Sequence, residues 1–534
     1  MRHTGTLLFV IILLIFLTSN CAKKGRPSGG KKDSIAPMMV TANPPYKTLN
    51  FKENKIKIYF DEFIILKDVN KQFIVSPPLK YTPTIEPQGA ASKSITIKFK
   101  DTLQANTTYT INFGNSIEDN NENNPLKGFH YIFSTGNYID SLYTSGSVKD
   151  AYESTTSKNI NILLYKIDSS YQDSIVYLKK PNYVTNTLDS SLFRLNNLEK
   201  GSYKLIAMKD AANNYLFNPK SDKIGFVEQP LSLPRDSVLL KSIVLFKEIP
   251  PFRLLSPKEV SKGHLLFPFE GEAEGLSIEP LLAGNSDFKS FSRFETGKDS
   301  LNFWFSNYSS DSIQLKITAK KFSDTLTLPL RKKVIDSLKI NSNTSRTLEL
   351  KDTLTLTSNN PIVTLDLTKI KLSTQDSVAV EFTPVLSKDS NKLQFLFEKT
   401  PTSSYRLELL PKALTDVFNT HNDSLRYRFS TKETSDYGSI ELAVKGSNFP
   451  AIIELLTEKG KLVQRYFVSK QTNLSFALLK PGKYKLRAII DSNNNKRWDT
   501  GNYLKKLQPE KIIYSPKIFP IKENFQFSET FILQ

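Results

Sequence analysis

The sequence predicts an all-β protein, several β-sandwich modules in tandem behind an apolar leader. Three observations predict it. Apolar residues alternate with polar ones over short stretches, as in Ile56, Ile58 and Phe60, in Ile95, Ile97 and Phe99, and in Tyr109, Ile111 and Phe113. Period two is the pattern of a strand with one face on a core. Clusters of Asn, Asp, Gly and Pro, which favour turns, separate these stretches. Two of the patterns also recur downstream, the first 296 residues later at Tyr405 to Leu409, the second, residues 193–207, repeated 281 residues later at 474–488.

The chain starts with Arg2 and His3, then eleven unbroken apolar residues from Leu7 to Leu17, then Thr18, Ser19, Asn20 and Cys21. A basic start, a short apolar run and small or polar residues are the grammar of an export signal. At about 1.5 Å per residue the run covers roughly 16 Å, half of a bilayer core. Residues 1–20 are therefore read as a signal peptide. Cys21, the only cysteine of the chain, stands where cleavage would make it the new N-terminus. The segment resembles a bacterial lipoprotein signal, with Thr18 and Asn20 at places where that signal usually carries Leu and a small residue. The resemblance implies lipidation of Cys21 by acyl chains such as palmitate. Each buried methylene contributes about 0.8 kcal/mol, so two or three chains anchor stably.

With Cys21 carrying lipid no disulfide can form, and the modules must hold by core burial. About 513 residues follow the leader, well beyond what one core serves. A net charge of +19 raises nucleic acid as a partner. The lysines are scattered as singles and doublets, however, and lysine on strand edges blocks unwanted pairing, so no nucleic-acid partner is expected. Residues 21–37, rich in Gly, Lys, Ser and Pro, read as a flexible lipidated linker. The stretch Gly25 to Lys31 mimics a phosphate loop, but Lys32 replaces the hydroxyl residue such a loop needs for magnesium.

Residues 38–136 alternate throughout and suit a sandwich. Asn43-Pro44-Pro45, the run from Ile56 to Glu62, Tyr109 to Phe113, and Tyr131 to Thr135 together resemble the SbsA-type bacterial Ig-like domain. That resemblance implies an envelope or surface-layer setting. Residues 138–246 carry Leu198-x-x-Gly201-x-Tyr203, a tight turn into a strand, and resemble the carboxypeptidase regulatory-like (transthyretin-like) sandwich, an accessory module that implies no peptidase activity. Pro250-Pro251 marks a boundary. Residues 250–343 are a sandwich of uncertain type, in which Leu301, Phe303 and Phe305 share one strand face and Trp304 takes the other. Residues 347–432 repeat the Ig-like pattern in diverged form. Residues 437–534 repeat the transthyretin-like one, with Gly482, Tyr484, Asp491 and Asn494 matching Gly201, Tyr203, Asp210 and Asn213. Duplication of a two-module unit suggests a string of beads.

Chemistry is sparse. Asp491, Asn493, Asn495 and Asp499 place oxygen side chains at spacings a calcium ion uses. Yet Lys496 and Asn502 replace the glycine and glutamate of an EF-hand, and the matching loop has Ala212 at its third position. A plain Asx turn is the competing reading. Trp304 is a candidate platform for a sugar, against the alternative that a neighbour covers it. Four dispersed histidines, no GxSxG elbow and no free thiol leave no catalytic constellation. The expectation is a non-catalytic cell-envelope lipoprotein, lipid-anchored to the outer membrane on its periplasmic face or at the cell surface, acting as an Ig-like scaffold or binding module. The alternative is a calcium-assisted adhesin or glycan binder. Expected partners are the membrane, through the anchor, and envelope proteins or glycans; no cofactor is expected unless calcium.

Overall fold

A computed structural model describes residues 33–155, 157–239, 241–281 and 287–534. The leader, Cys21 and most of the linker lie outside the described residues. Among those described, secondary structure is almost entirely strand, and the helices are single turns such as Val69–Gln72 and Ile175–Leu178. No helix among them is long and apolar enough to cross a membrane. The chain forms two compact units. One takes residues up to 143 with 182–188 and 195–200, the other the remainder from 144 onward.

The first unit is built on the long strand Lys55–Leu66, flanked by Met39–Asn43 and Ser92–Lys98, with Thr84–Glu86 beyond and Ile117–Asp119 pairing on its far end. Opposite lies a sheet of Ile74–Ser76, Thr108–Gly114 and Phe129–Ser134. Period two has its predicted effect. Ile56 faces Ile97, Ile58 faces Ile95, and all four are fully buried. Tyr109, Ile111, Phe113, Tyr131 and Phe133 meet them in one core. Each such side chain contributes about 1.5–3 kcal/mol by leaving water, an upper value. The two tyrosines keep their polar ends satisfied. The Gln104 amide donates to the Tyr109 hydroxyl at 2.9 Å, and the Tyr131 hydroxyl donates to the carbonyls of Pro44 and Pro45. Burial pushes the Tyr131 phenol up to about 12. Asp119 organises the turn after its strand, accepting amides from Asn121, Glu122, Asn123 and Asn124.

In the second unit, residues 347–432 reproduce that local geometry. The Thr400 amide donates to the Tyr405 hydroxyl at 2.8 Å, and Tyr405 stacks on Phe429 with centroids 5.6 Å apart, as Tyr109 does on Phe133 at 5.3 Å. Asp416 takes the role of Asp119, accepting the amides of Phe418 and Thr420. The strand Ile340–Ser342 joins this sheet by pairing with Leu354–Ser358.

The other repeat is equally consistent. Ile243–Leu245 lies parallel to Val148, Lys149 and Asp150, and Gln526–Leu533 lies parallel to Gly438–Gly446, so in both copies the closing strand returns beside the opening one. Residues 250–343 form two sheets. One contains Lys258–Ser261, His264–Glu270, Ser300–Ser306 and Lys289–Phe294; the other contains Ser277–Pro280, Ser312–Ala319 and Phe322–Pro329. Leu301, Phe303 and Phe305 pack inward on Ile313, Leu315 and Ile317.

Candidate binding surfaces

The Asp491 loop is a hydrogen-bonded turn. One carboxylate oxygen of Asp491 accepts the Asn495 amide at 2.9 Å and the other accepts the Lys496 amide at 2.9 Å. The side-chain nitrogens of Asn493 and Asn495 both donate to Asp499, at 2.6 and 2.5 Å. In the matching loop Asp210 accepts the Tyr215 amide, five residues on as in the later copy. Backbone amides thus engage both oxygens of Asp491, and side-chain amides engage Asp499, the pattern of an Asx turn. Among the described residues no group of three or more His, Cys, Asp or Glu is placed to hold a metal ion.

Trp304 is not an open platform, which corrects the sugar-stacking reading. It does point away from the core of its own sandwich, but it is 1% exposed. His264, its cross-strand partner, stacks on it with centroids 4.5 Å apart, and the Arg293 guanidinium carbon lies 4.6 Å from the ring centroid. The His264 ring is held by Asn302 at 2.8 Å, and burial keeps its pKa below the ordinary value. A sugar has no ring face left to stack on.

A polar joint between residues 138–246 and 437–534 was not anticipated from the sequence. Glu454, fully buried, sits in register with Arg465 on one side and Arg487 on the other. It accepts the Nε–H groups of both, each at 2.7 Å. Arg487 then donates to Tyr152, 335 residues away, at 2.7 Å and lies 4.3 Å from the centroid of its ring. Burial alone would lower the Arg487 guanidinium, but its bonds to Tyr514, Tyr152 and Glu454 more than offset this and leave it raised. Nearby, the Tyr503 amide donates to Glu248 at 2.5 Å, the Thr500 hydroxyl to the Lys247 carbonyl at 2.7 Å, and Tyr503 packs edge-on against Phe226. Within this unit the beads therefore touch across the sequence as well as along it. One signal was readable: Ala451 to Leu456 is apolar on both faces apart from Glu454, whereas an antiparallel sheet usually leaves one face wet. A lone charge in such a run implies a covered outer face and a paired charge.

A second feature is a cleft of about 710 Å³ between residues 250–343 and 347–432. One rim is made by the connecting segment, clamped onto the strand Lys258–Ser261. Glu259 accepts the amides of Arg331 and Lys332 at 2.7 and 3.0 Å, and the Lys262 amide donates to the Val334 carbonyl at 2.9 Å. This clamp gathers Lys262, Lys332 and Lys333 at the cleft, with Lys289 nearby. The other wall is Phe418, pressed so closely on Gly263 that a Cβ there would lie 2.6 Å from its ring and 2.5 Å from the Phe305 carbonyl oxygen. Gly263 also has φ +76°, which suits glycine.

Residues 33–135 match the family described as a bacterial Ig-like domain. No curated protein matches the chain. Among solved structures, the surface layer protein SbsC (domains 1–6) is 9% identical, over 91% of this chain and 67% of its own, with a TM-score of 0.14. The major pilin subunit of Bacillus cereus is 13% identical over 74% of this chain and 99% of its own, TM-score 0.14. The BSP domain of a biofilm associated protein is 9% identical over 88% and 97%, TM-score 0.15. The N-terminal sandwich of this all-β chain is a bacterial Ig-like domain.

Proposed function

We propose that the chain is a bacterial cell-envelope lipoprotein. Its leader is removed, Cys21 carries acyl chains, and the sandwiches are held at the outer membrane as a non-catalytic scaffold or binding protein without a cofactor. The first sandwich is of the SbsA type. One observation carries this reading: the bacterial Ig-like match begins at residue 33, twelve residues beyond a lone cysteine that closes an apolar leader. A folded β-sandwich directly behind such a leader makes sense if the leader directs export and the cysteine keeps the product at a membrane.

The test is fractionation of the wild-type chain and of Cys21→Ser in a Gram-negative host. The wild type is expected in the outer-membrane fraction and the variant to be released from it or retained with its leader uncleaved. Equal membrane association of both would overturn the anchor. Protease shaving of intact cells then separates the periplasmic face from the surface.

A further inference from the structure

We propose that the cleft between residues 250–343 and 347–432 binds an anionic polysaccharide. The inference deepens the binding role proposed above, and rests on it only for the setting in which such a ligand is met. At about 710 Å³ the cleft falls within the range of about 300–1,000 Å³ that ligand sites occupy. Lys262, Lys289, Lys332 and Lys333 surround it, all exposed, and none is in an ion pair among the described residues. Three carboxylates also line it. Glu259 is held by two backbone amides, and buried Asp416 by amides, the Thr420 hydroxyl and the Asn360 side chain. Counted formally, four lysines face three carboxylates, so the lining carries a net charge of +1 (4 − 3) with the lysines on its exposed side.

The remaining chemistry favours a saccharide. Ser309, Thr415, Asn307 and Asn419 line the cleft with hydroxyls and amides suited to sugar hydroxyls, and half-buried Phe418 supplies one apolar wall. The cations are lysines, flexible point charges without the planar fork that grips a single phosphate or carboxylate in two-pronged fashion. Charges spread along a polymer suit them better than one compact anion. Their convergence is built by the backbone, since Glu259 and the Lys262 amide fasten the connecting segment to its strand.

The experiment uses the full chain in detergent and measures binding of polygalacturonate, neutral dextran and polyglutamate by calorimetry, at low and at physiological salt. Because the chain carries +19 overall, the control must remove equal charge elsewhere. Lys262→Gln/Lys332→Gln/Lys333→Gln is expected to weaken polygalacturonate binding about tenfold or more, a difference of about 1.4 kcal/mol per factor of ten. Lys459→Gln/Lys461→Gln/Lys470→Gln, on the last sandwich, is expected to change it less than twofold. Glu259→Ala gives the sharper reading. Simple charge counting predicts tighter binding when a carboxylate is lost, whereas loss of the clamp predicts binding several-fold weaker. Equal weakening by the two lysine triples, tighter binding by Glu259→Ala, equal binding of dextran, or preference for polyglutamate would each overturn the proposal. Membrane anchoring is untouched by any of these outcomes, so failure here and failure of the anchor read out separately.

Discussion

Tyr152 holds together residues far apart in the chain, and its removal gives a quantitative test of the joint between residues 138–246 and 437–534. Tyr152→Ala takes from Arg487 a hydroxyl accepting at 2.7 Å and a ring 4.3 Å away. A hydrogen bond to a charged group contributes about 1.5–3 kcal/mol, and a cation–π contact about 0.5–2 kcal/mol depending on desolvation. Arg487 is 6% exposed but Tyr152 is 37% exposed, so water reaches the vacated space and the low ends apply. The expected cost is about 2 kcal/mol. Tyr152→Phe keeps the ring and should cost about 1.5 kcal/mol. A chain this large does not unfold in one step, so the assay is native-state hydrogen exchange, read on peptides of the strand Gly482–Ile490. The joint predicts faster exchange there when the substitution is made at residue 152. If exchange of Gly482–Ile490 moved by less than about 0.3 kcal/mol in Tyr152→Ala, the joint would contribute nothing and the reasoning would fail.

Glu454→Ala leaves the buried Arg487 guanidinium without its carboxylate, while Arg465, 39% exposed, can turn to water; the cost should be about 3 kcal/mol, the low end for breaking a buried pair, against about 1 kcal/mol for an ordinary exposed pair, and chemical denaturation followed by exchange on the same strand measures it. Trp304→Ala should destabilise residues 250–343 by about 3–5 kcal/mol by emptying a filled site, and acrylamide should quench Trp304 fluorescence poorly in the folded chain. Burial holds His264 below its ordinary value, so folding favours its neutral form. Its contribution is present above the unfolded value near 6.5 and is lost as pH falls through the lower folded value; the melt of residues 250–343 should weaken as pH drops below about 6.5, and His264→Gln should flatten that slope. For Asp119, burial pushes the carboxyl up, but the four backbone amides more than offset it and leave it lowered. Stability of the first sandwich should therefore decline below about pH 4, less so in Asp119→Asn. Asp491→Ala should destabilise the last sandwich equally with and without millimolar calcium, since the carboxylate acts on backbone amides.

Period two carried the fold into the sequence wherever one strand face stayed wet. Lys55 to Phe60 alternates cleanly, and the buried set is the set that alternation names. Recurrence carried the rest: Tyr405 could be matched to Tyr109 without coordinates, and the two share the same amide bond to the hydroxyl and the same ring stack. Contacts between modules were harder to read, since they depend on which outer faces are covered. Trp304 shows this, for its position on the outer face was legible but the His264 and Arg293 that cover it were not. The cleft lysines were indistinguishable from the chain's many others until Glu259 was seen fastening the segment that carries Lys332 and Lys333. The Asp491 loop was ambiguous for a related reason: oxygen spacing suits a cation and an Asx turn alike, and the sequence does not show which amides turn toward the carboxylate.

Removal of the leader, as proposed, makes Cys21 the first residue of the protein. Mass spectrometry of the protein extracted from bacterial membranes addresses this directly. The expected result is an N-terminal peptide beginning at Cys21 with acyl chains on it. An unmodified chain still beginning at Met1, recovered from the cytosolic fraction, would contradict it.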